Sequence, residues 1–406
     1  MNTTIKLPEF LSHLEVVGTL EDALEVRRAP QILNVEEDPN IVITNNGSPL
    51  AAMPPSLVEA YQKNDQDFIK KMQDQNYDNL ETIRKNIINC GEKAWVEVRD
   101  QNNVHFFVSY NDKAFTWVYP EQNPTNDEKN QLVVSIGSFD SVTNQSAFAS
   151  LTLSNAFVKV IEAVLVTIVV KVVTQVIKAG LSMVVDAIAV YFAESAAAAG
   201  LAAFSFVVPE ALVTAVASVL AIGVAIGLVF LIDWIVSLVT PDYFIRLLIF
   251  NFDNDRDWNA TGCYFDNAKI AGAGEKYQDF TIPMRKKAEL PPFISGATDD
   301  IIVSYAEVDF ENDSKFMQGL GFAMNMKSGD AGFTLASDCP FIGATVIKEK
   351  APAVSDMKSY FKDGGWVDGL KTNIDVNGMP VGMTLNTQHG AEDNIYEVTV
   401  LIGKSV

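Results

Sequence analysis

Residues 218–232 read SVLAIGVAIGLVFLI, and the fold turns on how that stretch is taken. It lies inside a run, 211–232, that carries no charge. As an α-helix the run would rise about 33 Å, against roughly 30 Å for the hydrocarbon core of a bilayer. Upstream, between 157 and 210, the charges are Lys159, Glu162, Lys171, Lys178, Asp186, Glu194 and Glu210. Thr167, Lys171, Thr174, Gln175, Lys178, Ser182 and Asp186 recur every three or four residues, so on a helix they form one narrow polar stripe. The segment ESAAAAGLAAFSFVVPE (194–210) then breaks the pattern at Gly200 and Pro209. The spacing therefore predicts a helical hairpin over 151–242, with Gly180, Gly200 and Pro209 as hinges. Its second arm carries a Gly223/Gly227 pair that permits close helix approach. Asp233 and Trp234 close the run.

Working outward, residues 1–150 change period part-way along. Leu57, Ala60, Tyr61, Phe68, Ile69 and Met72 mark one helical face behind Ser56, which is placed to cap it. Leu80, Ile83, Ile87 and Cys90 mark a second helix, stopped by Gly91. KAWVEVR, VHFFVSY, AFTWVYP and LVVSIG then read as strands of an antiparallel meander ending near residue 140. From 243 to 406 the strand signals return, separated by turns. NIYEVTVLI is the clearest, with Tyr396, Val398, Val400 and Ile402 on one face and Glu397 and Thr399 on the other. Asn377-Gly378 supplies a hairpin turn. Eight or nine short strands in this third of the chain read as an antiparallel β-sandwich. The class expected is thus α+β and multidomain: an N-terminal domain of helices and a small sheet (1–150), the hydrophobic hairpin (151–242) and a C-terminal sandwich (243–406).

The net charge of −21 disfavours nucleic acid and anionic membrane surfaces as partners. Six acidic and four basic residues fall in 151–250, so the acidity belongs to the flanks. Cys90, Cys263 and Cys339 are too scattered for a disulfide framework or a CxxC metal site. The N-terminus has no apolar core of a secretory signal, so export is expected by lysis or a dedicated machine, with action at a target-cell membrane. Asp253, Asp255 and Asp257 open like a calcium loop, but Trp258 and Tyr264 occupy the positions where that loop needs Gly and an acid. AGAGEKY and the terminal GKS both lack the context of a phosphate loop. No hydrolase or nucleophile motif surrounds His13, His105 or His389, so neither catalysis nor a cofactor or metal is expected. The aromatics Trp258, Tyr264 and Trp366 sit in turn regions, where exposed rings bind sugars or rest at headgroup level.

Three readings of the central segment compete. A permanent membrane span would place Lys171, Lys178 and Asp186 in lipid. A buried core helix can be apolar all round and needs no membrane. A stored hairpin would be released at a membrane, its stripe of Lys171, Gln175, Lys178, Ser182 and Asp186 lining water in an oligomer. In that case Glu162, Asp186, Glu194, Glu210 and Asp233 would sense acidity, since neutral carboxyls insert more cheaply. Taking VKVIEAVLVTIVVKVVTQVIK and ALVTAVASVLAIGVAIGLVFLI as hairpin arms, the plan of 152–406 resembles that of the α-pore-forming toxins. The resemblance implies an oligomerising cytolysin that meets a membrane lipid or a surface receptor, with or without a second toxin component. The alternatives are a non-enzymatic binding or structural protein whose apolar helices are core, and a translocation subunit.

Overall fold

The computed structural model describes residues 5–20, 22–23, 40–44, 50–121, 130–142, 145–155, 205–207, 244–270, 277, 279–284, 301–313, 318–391 and 394–406, together with Val166, Val170, Lys171, Val173 and Thr174. The chain divides into two compact units, each assembled from separate stretches. Unit 1 comprises Met1–Ala52, Gln73–Phe230 and Glu289–Asp300; unit 2 comprises Met53–Met72, Leu231–Ala288 and Ile301–Val406.

Unit 1 is built on a sheet. Its strands are β1 (Glu15–Thr19), β2 (Asn40–Thr44), β3 (Leu50–Met53), β4 (Val96–Arg99), β5 (His105–Tyr110), β6 (Ala114–Glu121), β7 (Asn130–Asp140), β8 (Gln145–Asn155) and β9 (Ser205–Val207). The hydrogen-bonded order runs β1-β4-β5-β6-β7-β8-β3, antiparallel throughout, and β2 bridges β8 to β9. The meander thus continues one long strand beyond residue 140. Its inner face carries Phe106, Val108, Phe115, Trp117 and Phe148, with Phe115 and Trp117 stacked at 4.1 Å. Helix α1 (Pro55–Lys63) belongs to unit 2; it starts with Pro55 in its first turn and has no side-chain cap, so Ser56 does not play the capping part expected of it. Helix α2 (Gln66–Cys90) buries Leu80, Ile83 and Ile87 at the spacing read from the sequence. Gly91 follows it with a φ of 60°, the left-handed conformation that ends a helix cheaply only at glycine.

Unit 2 is a pair of facing sheets. The strands are β10 (Phe244–Asn251), β11 (Trp258–Asp266), β12 (Ala268–Ile270), β13 (Phe280–Ile282), β14 (Ile301–Asn312), β15 (Leu320–Ser328), β16 (Ala331–Cys339), β17 (Val346–Lys350), β18 (Lys371–Val376), β19 (Met379–Leu385) and β20 (Ile395–Ile402). One sheet runs β12-β14-β10-β20-β19-β18, with β10 and β20 parallel and its other pairs antiparallel. The other runs β13-β11-β15-β16-β17, antiparallel throughout. Ile245, Leu247, Ile249, Val398 and Val400 from the first sheet meet Trp258, Phe322, Met324, Phe333 and Leu335 from the second in a single buried cluster. Alternate side chains of each strand feed this core. Asn377 and Gly378, at φ 55° and 85°, form the tight turn between β18 and β19. A short helix α3 (Met357–Lys362) lies against β11 and β15.

These observations correct the expected class. The described chain is predominantly β; it contains three continuous α-helices, and no helical hairpin appears among the described residues. The resemblance to α-pore-forming toxins falls with it, because that resemblance rested on the hairpin. Among the described residues no helix is long and apolar enough to cross a membrane, a statement that leaves strand-built membrane proteins untouched. Almost all of both proposed arms lies outside the described residues, as do the hinges Gly180, Gly200 and Pro209.

The physical reason lies in the described part of the first arm. Val166, Val170, Val173 and Thr174 are helical and buried. Thr174, a member of the polar stripe, accepts a 2.8 Å hydrogen bond from the Trp95 indole and donates to the carbonyl of Val170 at 2.7 Å. Lys171 lies 3.7 Å from Glu92. These two members of the stripe meet partners inside unit 1. A narrow polar stripe on an apolar helix looks the same in sequence whether it lines a pore or satisfies a few polar groups of a soluble core.

Candidate recognition site

Of the three aromatics singled out, Trp258 is core. It is fully buried, 5.4 Å from the ring of Phe333, and its indole donates to Asp253 Oδ2 at 3.3 Å. The Asp-rich turn before it is held internally. Asp253 also accepts from the Asp255 amide and the Arg256 guanidinium, each at 2.9 Å, and Asp257 accepts from the Met284 amide at 2.7 Å. Among the described residues no group of three or more His, Cys, Asp or Glu side chains is arranged to hold a metal.

Tyr264 and Trp366 come together, 102 positions apart in the chain, around Phe361. The Phe361 ring lies 5.5 Å from Tyr264 and 5.1 Å from Trp366, meeting the latter edge to face. The local sequence makes this possible in three ways. Asp356 caps α3 by accepting from the Ser359 amide at 3.0 Å, fixing where the helix starts. Gly321 on β15 leaves a hollow for Phe361, since a Cβ there would lie 2.4 Å from the ring. Gly364 and Gly365, at φ 73° and 72°, turn the chain back so that Trp366 returns to the sheet, and Val367 then bonds the β17 carbonyl of Ile347 at 3.0 Å.

Charged groups frame the rings. The Lys348 ammonium sits 4.3 Å from the centre of the Tyr360 ring and 4.2 Å from that of Trp366. It donates to the carbonyls of Tyr360, Phe361 (3.3 Å) and Gly364 (2.6 Å), so its three protons are spent inside the protein. Burial lowers its pKa. On the other side of Phe361, Asp266 accepts from the Tyr264 hydroxyl at 2.9 Å and from Lys362 at 2.7 Å, a bond that raises the lysine's pKa. Asp266 and Asp338 both pair with Gly321 in register, one from each neighbouring strand. Burial, then the nearby Asp266 charge, pushes Asp338 up to about 6.

Tyr264 and Trp366 remain half-buried, leaving aromatic surface on a rigid sheet with carboxylates and an ammonium beside it. The arrangement offers stacking faces and hydrogen-bond acceptors. The thiols of the region are poor nucleophiles: burial pushes Cys339 up to about 11 and Cys263 further. His105, in unit 1, is paired with Glu97 at 2.9 Å. Sequence reasoning missed Lys348, Tyr360, Phe361, Asp266, Asp338 and Lys362; the GG before Trp366 was the one local signal for the turn. Of the remaining positions singled out, Lys171 is placed as above. Gln175, Lys178, Ser182, Asp186, Gly223, Gly227 and Trp234 lie outside the described residues, as do Glu162, Glu194, Glu210 and Asp233.

No protein-family model matches this chain, and no curated protein matches it in sequence. Among solved structures, the crystal structure of RahU protein in complex with a TRIS molecule is similar to it at 12% identity and a TM-score of 0.23, covering 40% of this chain and 96% of that one.

Proposed function

We propose that this chain is a non-catalytic recognition protein that acts at a cell surface and reads a sugar ring with the patch around Phe361. The observation that carries the reading is the convergence of Tyr264 and Trp366, half-buried, on one braced hydrophobic residue. Aromatic faces pack the apolar face of a pyranose, and Asp266 and Asp338, on the strands flanking Gly321, would accept hydrogen bonds from its hydroxyls. A net charge of −21 argues against a polyanion as the ligand. The ligand is therefore a neutral sugar, carried either by a glycolipid or by a free or protein-linked oligosaccharide.

The test is binding of the full chain to arrayed neutral oligosaccharides and to vesicles carrying a neutral glycolipid. Trp366→Ala and Tyr264→Ala should each weaken binding about tenfold or more, the usual cost of truncating a central aromatic contact. Binding to glycolipid vesicles alone would assign the headgroup source. Absence of binding in both formats, or binding indifferent to both substitutions, would overturn the reading.

A further inference from the structure

The outer face of the first sheet of unit 2 holds a group of charges that plays no part in the patch. Arg246 on β10 sits in register between Asp309 on β14 and Glu397 on β20. Its Nε lies 3.0 Å from Glu307 Oε1 and donates to Asp309 Oδ1 at 3.3 Å. The side chains of Arg246, Glu307 and Asp309 are 4%, 7% and 9% exposed. Both Glu307 oxygens are shut off from water and accept no hydrogen bond of ordinary geometry. On the same face Tyr305 is buried beside Glu307, Tyr61 of α1 packs on Phe250, and the neighbouring cation Lys269 is paired with Glu311 at 3.1 Å.

Three carboxyls thus share one guanidinium, and the fully ionised set would carry two unbalanced negative charges. Burying an uncompensated carboxylate costs several kcal/mol, so the folded protein holds protons there instead. Burial is the leading cause of a raised pKa at Glu307, Asp309 and Glu397 alike; Arg246 opposes it at all three, Asp309 raises Glu307 and Glu397 further, and a hydrogen bond with Glu307 lowers Asp309. The unfolded chain releases the same protons in the ordinary carboxylate range near pH 4. Stability from these protons is therefore complete below that range and is lost as the pH climbs through the folded values.

We propose that Arg246, Glu307, Asp309 and Glu397 form a proton-held clasp, which keeps this face of β14, β10 and β20 closed to water and lets it loosen as the pH rises above the ordinary carboxylate range. The device is independent of the sugar reading. It also runs opposite in sign to the acid response expected of Glu162, Asp186, Glu194, Glu210 and Asp233.

Hydrogen exchange of the full chain, followed by mass spectrometry and corrected for intrinsic rates, tests it. Peptides covering β14, β10 and β20 should lose protection as the pH is raised above the ordinary carboxylate range, by up to about tenfold per pH unit for each proton released. The Glu307→Gln/Asp309→Asn double variant should flatten the dependence, with Glu307→Gln alone standing in if the double variant does not fold. Protection independent of pH in the wild type, or a wild-type profile in the neutralised variant, would overturn the proposal.

Discussion

At the scale of single residues, unit 2 places ionisable groups where water does not reach and lets each find its own solution. Lys348 spends its protons on three carbonyls and its charge on two rings, so it fastens the loop before Trp366. Glu349, its neighbour, has both oxygens buried, and burial pushes it up to about 8 against the lowering effect of Thr372. A carboxyl raised in the folded state stabilises fully below its unfolded value and progressively less as the pH passes the folded one. Glu349→Gln keeps the shape and removes the titration. It should therefore melt close to wild type at pH 5 and several degrees higher at pH 9, read from thermal unfolding at the two pH values. An equal offset at both would mean the carboxyl does not titrate in the folded protein. Little of this was legible beforehand. Trp258 and Trp366 look alike in sequence, each beside acidic and turn residues. Pairing of Trp258 with Ile282, 24 positions on, puts one ring in the core, while the glycine turn leaves the other at the surface.

At the scale of elements, alternation was legible and what lies beyond each face was not. In β20, Tyr396, Val398, Val400 and Ile402 do enter the core. Thr399 on the opposite face is buried as well, and Glu397 meets Arg246. A period of two fixes which residues share a face, but only long-range pairing decides whether the second face is wet. That pairing here is parallel, between β10 and β20, about 150 positions apart, and nothing local announces it. The α2 face and the Asn377-Gly378 turn were readable because neighbours in sequence determine both. The same contrast governs α3. Its cap is local, but its seat depends on Gly321, which gives no sign in sequence of being a socket. Gly321→Val would drive a side chain into Phe361 and lift α3 from β15. We expect a loss of about 1–3 kcal/mol from overpacking, measured by denaturant unfolding, together with loss of sugar binding. Full stability with intact binding would mean that α3 is not seated as the contact implies.

At the scale of the whole molecule, two sources of negative charge act together and salt separates them. The chain carries 51 acidic against 30 basic residues, and among the described residues more acidic side chains are exposed than covered, so self-repulsion grows as carboxyls ionise. The same acidity surrounds a segment, 151–250, that is nearly neutral. Its apolar length was easy to read as a membrane hairpin, because composition reports burial without naming the medium. The packing of Thr174 against Trp95 names protein as the medium for that part of the segment. Surface repulsion falls as the Debye length shrinks from about 30 Å at 0.01 M salt to about 8 Å at 0.15 M. Charges closed to water are screened far less, so salt should not relieve the cluster around Arg246. Thermal unfolding should therefore rise with salt more steeply at pH 9 than at pH 4, where about half of ordinary surface carboxyls are protonated. The Glu307→Gln/Asp309→Asn variant should melt higher than wild type at pH 9 while keeping the wild-type dependence on salt. If instead salt abolished the difference between variant and wild type, the cluster would be accessible to ions, and its protons would be held by nothing more than the general field of an acidic surface.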